Sequence, residues 1–156
     1  MAIQQTFRGF HSPGKKSLSR HGRSSNLGAS VPSVAHTDCL LWLWTTNAFL
    51  HDAYHIIDAW GFAPKTVLTW IKDRMGLGDW LRGQTEHCIL GVKGKPVVAL
   101  TNQTTALSGQ RRKHSRKPDE FYSLVESLCP GSKIELFARQ KRDGWASWGA
   151  ENELFG

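Results

Sequence analysis

The first 37 residues contain no aspartate or glutamate. No apolar run approaches the roughly 20 residues needed to span a bilayer, which argues against a membrane-spanning helix. Basic residues near the N-terminus are followed by no apolar stretch, so a secretory signal is not expected either. Cysteine is scarce: Cys39, Cys88 and Cys129 lie far apart and form no CxxC pair. That pattern argues against a disulfide framework and against a zinc site. Reduced thiols in a cytoplasmic compartment, buried as small hydrophobes, are the expectation. Internal repeats are also missing.

With 156 residues, 40% hydrophobic and 21% charged, the chain is sized for one domain with a single core. Its net charge of +7 is unevenly spread. Arg8, Lys15, Lys16, Arg20 and Arg23 lie in the acid-free segment. Arg111, Arg112, Lys113, Arg116 and Lys117 form a denser cluster, and Arg139, Lys141 and Arg142 a third. Such clusters suit phosphate backbones. A solvated surface is the alternative reading of charge alone.

Residues 1–37 are rich in Gly, Ser, Arg and His without a period of two or 3.6, and read as a basic flexible arm. The domain is expected over 38–156. Cys39-Leu-Leu-Trp-Leu-Trp44 is apolar without alternation, as in a strand buried on both faces. Thr45-Thr46-Asn47 offers polar groups at its end and a helix cap. Phe49, Ala53, Ile56, Ile57 and Trp60 then share a helix face, and Gly61 ends it. Further strands are predicted over 66–72, 86–93 and 133–138, with a short edge strand over 97–100. Residues 101–114 read as polar and aperiodic. Pro118, Asp119 and Glu120 suit a helix start, and Phe121, Leu124, Val125 and Leu128 are its buried stripe. Alternating strands and helices give an α/β sheet with parallel pairs, whose ligands bind at the C-terminal strand ends. Asn47, the loop before Glu86 and the segment from Arg139 onward meet there.

Three segments carry a resemblance. The first is Leu41-Trp-Leu-Trp-Thr-Thr-Asn47 with Ala59-Trp-Gly-Phe62. The second runs from Asp79-Trp-Leu-Arg-Gly-Gln-Thr-Glu-His-Cys88 to Gly94. The third joins Ser115-Arg-Lys-Pro-Asp-Glu120, Pro130-Gly131, Ile134-Glu-Leu-Phe-Ala-Arg139 and Gly144-Trp145 with Trp148-Gly149. In this order, over residues 40–152, the chain resembles the MT-A adenine methyltransferases. The resemblance implies a Rossmann-like sheet with permuted motif order and S-adenosylmethionine as cofactor. It implies that Ser115, Lys117, Arg139, Arg142 and Glu151 hold that cofactor; Ala150 stands where the family has an asparagine. Glu86 and His87 would border the target adenine, together with Asn47, Trp80 and Arg82. The bland alternatives are a Glu86–Arg82 ion pair, a packed His87 and a surface Arg139. Trp42 and Trp44 read as core, and Trp145 and Trp148 as packing over the sheet's edge. Trp80, beside Arg82 in a loop, suits stacking on a base.

The family's Asp-Pro-Pro-Trp motif does not occur, since Pro13, Pro32, Pro64, Pro96, Pro118 and Pro130 are nowhere adjacent. Residues 7–22 resemble the basic loop that follows the motif in bacterial and phage relatives. The expectation is therefore a chain starting just after the motif, with one central strand of the sheet lost and no nameable catalytic residue. The strands of Trp44 and Phe137 would flank the vacancy. The reading is an adenine methyltransferase acting on DNA, with RNA as an alternative substrate and with a partner subunit or second copy allowed for. Its rival is an inactive nucleic-acid-binding relative. A basic domain unrelated to methylation explains the charge but not the three segments.

Overall fold

The computed structural model describes residues 1–6, 31–78, 80–99, 102–112, 116–138 and 140–148. Seven strands form one sheet: β1 (Ala2–Thr6), β2 (Cys39–Thr45), β3 (Ala63–Lys72), β4 (Thr85–Lys93), β5 (Ala106–Gly109), β6 (Lys133–Leu136) and β7 (Trp145–Trp148). Their order across the sheet is β5-β3-β4-β2-β1-β6-β7. Six strands run in one direction and β4 alone opposes them. All seven residues of β2 are buried, as an apolar run without alternation demands.

Because successive side chains of a strand alternate, β2 feeds two cores. Leu41 and Leu43 join Ile3, Ile89 and Leu136 against Ala53 and Ile57 of helix α2 (Leu50–Ala59). Val31, from the short helix α1 (Val31–Val34), closes the same face. Leu40, Trp42 and Trp44 join Leu68, Trp70 and Cys88 against Phe121, Tyr122 and Val125 of helix α3 (Asp119–Leu128). Edge-to-face aromatic contacts knit this second face; Trp44 lies 5.0 Å from Phe121 and 6.2 Å from Trp70 between ring centroids. Gly61, at φ 77°, turns the chain out of α2 as expected of a helix-ending glycine. The three cysteines are free and buried. No described helix is long and apolar enough to cross a membrane.

The structure corrects the expected lost central strand. Ala2–Thr6 fills the place between β2 and β6, pairing in parallel with both. Its sequence, Ala-Ile-Gln-Gln-Thr, lacks the apolar pattern of a central strand. Ladders on both sides nonetheless satisfy its backbone, with Ile3 facing the α2 core and Ala2 the α3 core. Order therefore starts ahead of Cys39, and residues 1–37 are not a loop throughout. Residues 7–30, which hold most of the expected arm, lie outside the described residues. The vacancy expected beside Trp44 and Phe137 is not there. Phe137 itself falls just past β6, with φ at 61°.

The edge strand is also corrected. Val97 and Val98 are exposed and lie outside any strand. The edge is β5, inside the stretch read as aperiodic, paired in parallel with β3. Four residues are too few to show a period, and the pairing is fixed from outside by the Trp70 indole donating to the Gly109 carbonyl at 3.0 Å. Trp145 and Trp148 belong to the opposite edge, in β7.

Candidate functional site at the C-terminal rim of the sheet

Reversal of β4 brings its first residues to the rim where β2 and β3 end. Thr45 stands opposite His87, and Trp70 opposite Glu86. Asn47, in the 3-10 turn Asn47–Phe49 that leads from β2 into α2, reaches the same rim. The expected helix cap is not made there, since no side chain bonds the turn's N-terminus. Asn47 instead bonds through its Oδ1 to His87 Nε2 and, at 3.5 Å, to the Thr85 hydroxyl. An amide oxygen only accepts, so Nε2 carries the imidazole proton and Nδ1 takes the Thr69 hydroxyl at 3.1 Å. Burial lowers the His87 pKa against the opposing pull of Glu86, which favours this neutral tautomer.

Glu86 is the hub. Its Oε1 bonds the Lys117 ammonium and its Oε2 lies 3.1 Å from Lys72 Nζ. The Glu86–Arg82 pair, the bland alternative, is not formed; Arg82 donates to the Gly76 carbonyl at 3.0 Å. Burial disfavours the Glu86 carboxylate, but the charge and hydrogen bonds of Lys117, then Lys72, outweigh it and hold the pKa below its usual value. Lys117 is 3% exposed. Burial lowers its pKa and Glu86 opposes that fall. Its ammonium also sits 4.6 Å from the centre of the Trp44 ring, a cation–π contact. Two lysines on one carboxylate leave this rim with a net positive charge.

Deeper on the α3 face lies a second polar group. Tyr122 donates to Glu135 Oε1 at 3.0 Å. Burial, opposed by the Tyr122 hydrogen bond and by Lys117, pushes the Glu135 carboxyl up to about 7. Burial and then Glu135 raise the Tyr122 pKa in turn. Gln4 stands opposite Glu135 in the ladder, 1% exposed. Gln4 Oε1 and the Trp42 and Trp44 indole nitrogens are buried without a hydrogen-bond partner among the described residues. Each such orphan costs about 1–3 kcal/mol, so a ligand or water supplying partners is favoured at this face.

Of the expected site residues, Asn47 bonds His87 and Glu86 bonds Lys117. Both pairs stand at this rim, but Glu86 and His87 are consecutive in β4, so the Glu86 pair lies on the α3 face and the His87 pair on the α2 face. Trp80 is 98% exposed in the β3–β4 loop, with Arg82 also exposed. Arg142 grips Glu126 of α3 through Nε (2.7 Å) and a second nitrogen (3.3 Å), and stacks over Tyr122 at 4.8 Å. Ser115, Arg139 and Glu151 lie outside the described residues. Sequence reasoning missed Lys72, Thr69, Tyr122 and Glu135. Lys72 and Glu135 were visible only as polar residues at strand ends or within an apolar strand. Phe137, a bulky side chain held at positive φ where β6 ends, marks local strain on the same rim.

Comparisons with known proteins identify the family. The family described as MT-A70 matches residues 22–151. A putative N(6)-adenosine-methyltransferase MT-A70-like protein of Medicago truncatula is 36% identical over 138 residues, covering 81% of this chain and 22% of that protein. The type II methyltransferase M.MunI of Mycoplasma sp is 35% identical over 125 residues, covering 78% of this chain and 54% of its own length. The N(6)-adenosine-methyltransferase catalytic subunit METTL3 of Homo sapiens is 34% identical over 135 residues, covering 79% of this chain and 23% of its own. The chain thus spans between about a fifth and about a half of these relatives.

Proposed function

The chain belongs to the MT-A70 family, and from that premise we propose that it transfers a methyl group from S-adenosylmethionine to the 6-amino group of adenine in nucleic acid, DNA in preference to RNA. The observation carrying this reading is that two bonded polar pairs, Glu86–Lys117 on the α3 face and Asn47–His87 on the α2 face, stand at the same rim of the sheet. The preference for DNA rests on resemblance to short bacterial and phage members; the larger share of the Mycoplasma relative that is covered goes the same way.

The residues present fit the cofactor. Its ribose hydroxyls and methionine carboxylate need donors and acceptors in a partly dry site. The α3 face offers a buried ammonium, a carboxylate and three orphaned polar atoms. Lys117, with Ser115, Arg139, Arg142 and Glu151, would hold it. When bound, S-adenosylmethionine supplies an electrophilic methyl on a sulfonium. The chain's part is positioning and electrostatics. The adenine amine is a poor nucleophile because its lone pair is delocalised into the ring, so acceptors must localise it. Asn47 and Glu86 bring acceptor oxygens to the rim, while His87 and Lys117 fix their orientation. Trp80 stacks on an exposed base, and Arg82 meets the phosphates. In a duplex the base has to be flipped out.

The test has two stages. S-adenosylmethionine is expected to raise the melting temperature of the chain, and Arg139→Ala to abolish that rise. Methyl transfer to adenine-containing DNA and RNA oligonucleotides, read as N6-methyladenine, then identifies the substrate. No shift with the cofactor in the wild type sinks the proposal. A second reading is an inactive nucleic-acid-binding relative of the same family; a cofactor shift without methyl transfer selects it.

A further inference from the structure

On the opposite side of the sheet from the rim cluster's helix, α2 carries His51 and His55 one turn apart. The i,i+4 spacing places both on one helix face, and both are exposed. Their Nε2 atoms lie 3.1 Å apart, with ring centroids 4.6 Å apart and planes at 88°. We propose that His51 and His55 form a surface site for one divalent cation of the imidazole-preferring class, copper(II) first, then nickel(II) or zinc(II).

The geometry carries the assignment. Imidazole nitrogens bind such ions at about 2.0–2.1 Å. Two nitrogens 3.1 Å apart, each at that distance from one ion, subtend about 98° at it. This lies between the ~90° of a square or octahedral site and the ~109° of a tetrahedral one. Without metal, one Nε2–H donates to the lone pair of the other ring. With metal, both protons reside on Nδ1, both Nε2 lone pairs point at the ion, and the single hydrogen bond is exchanged for two metal–nitrogen bonds. Among the described residues no third His, Cys, Asp or Glu joins the pair, so water fills the remaining positions. That open sphere places copper(II) ahead of the others, following the general affinity order for nitrogen ligands. The helix holds the two residues one turn apart, so the second bond forms at high effective concentration.

Copper(II), nickel(II) and zinc(II) are titrated into the full chain, free of any histidine tag and stripped with a chelator. One tight equivalent per chain is expected, tightest for copper. His51→Ala and His55→Ala should each weaken it by on the order of tenfold or more. Both side chains are exposed, so the variants should keep the wild-type circular dichroism. Electron paramagnetic resonance of the wild-type copper complex provides a readout that needs no variant; coupling to two imidazole nitrogens is expected. Undiminished binding in the His51→Ala/His55→Ala double variant, or a spectrum with one nitrogen or none, overturns the site. Neither measurement involves S-adenosylmethionine or nucleic acid, so the result is independent of the methylation reading.

Discussion

The two faces of the sheet are built from the same strands and do different work. On the α2 face, Ile3, Leu41, Leu43, Ile57, Ile89 and Leu136 form an apolar cluster in which every residue is 1% exposed or less. On the α3 face, large aromatic rings surround Lys117, Glu86, Glu135 and Gln4, all polar and all buried or nearly so. Alternation along β2 sends leucines one way and tryptophans the other. An apolar face needs only volume to be filled. A face holding buried charges must satisfy each of them, and it tolerates them where something is to be bound. The contrast sets an apolar core on one face against buried charge on the other, and it can be attacked from both sides.

The sharpest attack removes Glu86. Glu86→Ala strands the buried Lys117 ammonium, and a loss of about 3–5 kcal/mol in denaturant unfolding is expected. The double variant Glu86→Leu/Lys117→Met should recover most of that loss while eliminating any S-adenosylmethionine-induced shift. If the single variant unfolds like the wild type, the pair is not the buried hub described above. The matching change on the other face is Leu43→Ala, expected to cost about 2–5 kcal/mol through the cavity it leaves. Its cost should stay constant from pH 5 to 8, since no charged side chain belongs to that cluster.

The same contrast explains what could be read from sequence. The α2 face and β2 were legible because their apolar residues recur with helix or strand period. Most of β3 and β4, and all of α3, were legible for the same reason, with boundaries off by three residues or fewer. β1 was not, because Gln4 is polar in a place where a central strand usually is not, and only its two neighbours in the sheet make it a strand. β5 depends in the same way on β3. Asn47 was singled out at a strand end, and Glu86, His87 and Lys117 through family likeness, but the bonds they make were not foreseen. Sequence left Arg82 as a partner for Glu86. Reversal of β4 delivers Lys72 and Lys117 to it instead, and that is a property of topology, which spacing along the chain does not reveal.

A smaller effect tests the deeper polar group. Between the ordinary carboxyl value of 4.5 and about 7, folded Glu135 holds a proton that the unfolded chain has released. Its contribution therefore makes the protein less stable as pH rises through that window, and levels off above it. Glu135→Gln keeps an acceptor for Tyr122 and removes the titration. The variant should match the wild type near pH 4.5 and exceed it by up to about 3 kcal/mol at pH 8. Glu86 acts with the opposite sign, since its lowered pKa gives stability above 4.5 that is lost as pH falls. Melting curves of wild type and Glu135→Gln taken across pH 4.5–8 separate the two, and parallel curves would show that Glu135 does not titrate there.

The smallest effect concerns Arg142, where the two roles compete on one side chain. Its guanidinium is held by Glu126, and the Trp145 indole donates to the same carboxylate at 2.8 Å. The hydrogen bond from Arg142 is the main reason the Glu126 pKa is lowered. With its side chain 25% exposed and Glu126 at 37%, the pair is a partly screened surface clamp, and Arg142→Ala should cost no more than about 1 kcal/mol, less in high salt. A residue that only pins β7 to α3 would leave S-adenosylmethionine affinity unchanged once that small loss is allowed for. A tenfold drop in affinity with the fold intact would instead place Arg142 on the cofactor, and the chemistry of the α3 face would then extend past β6 to the edge of the sheet.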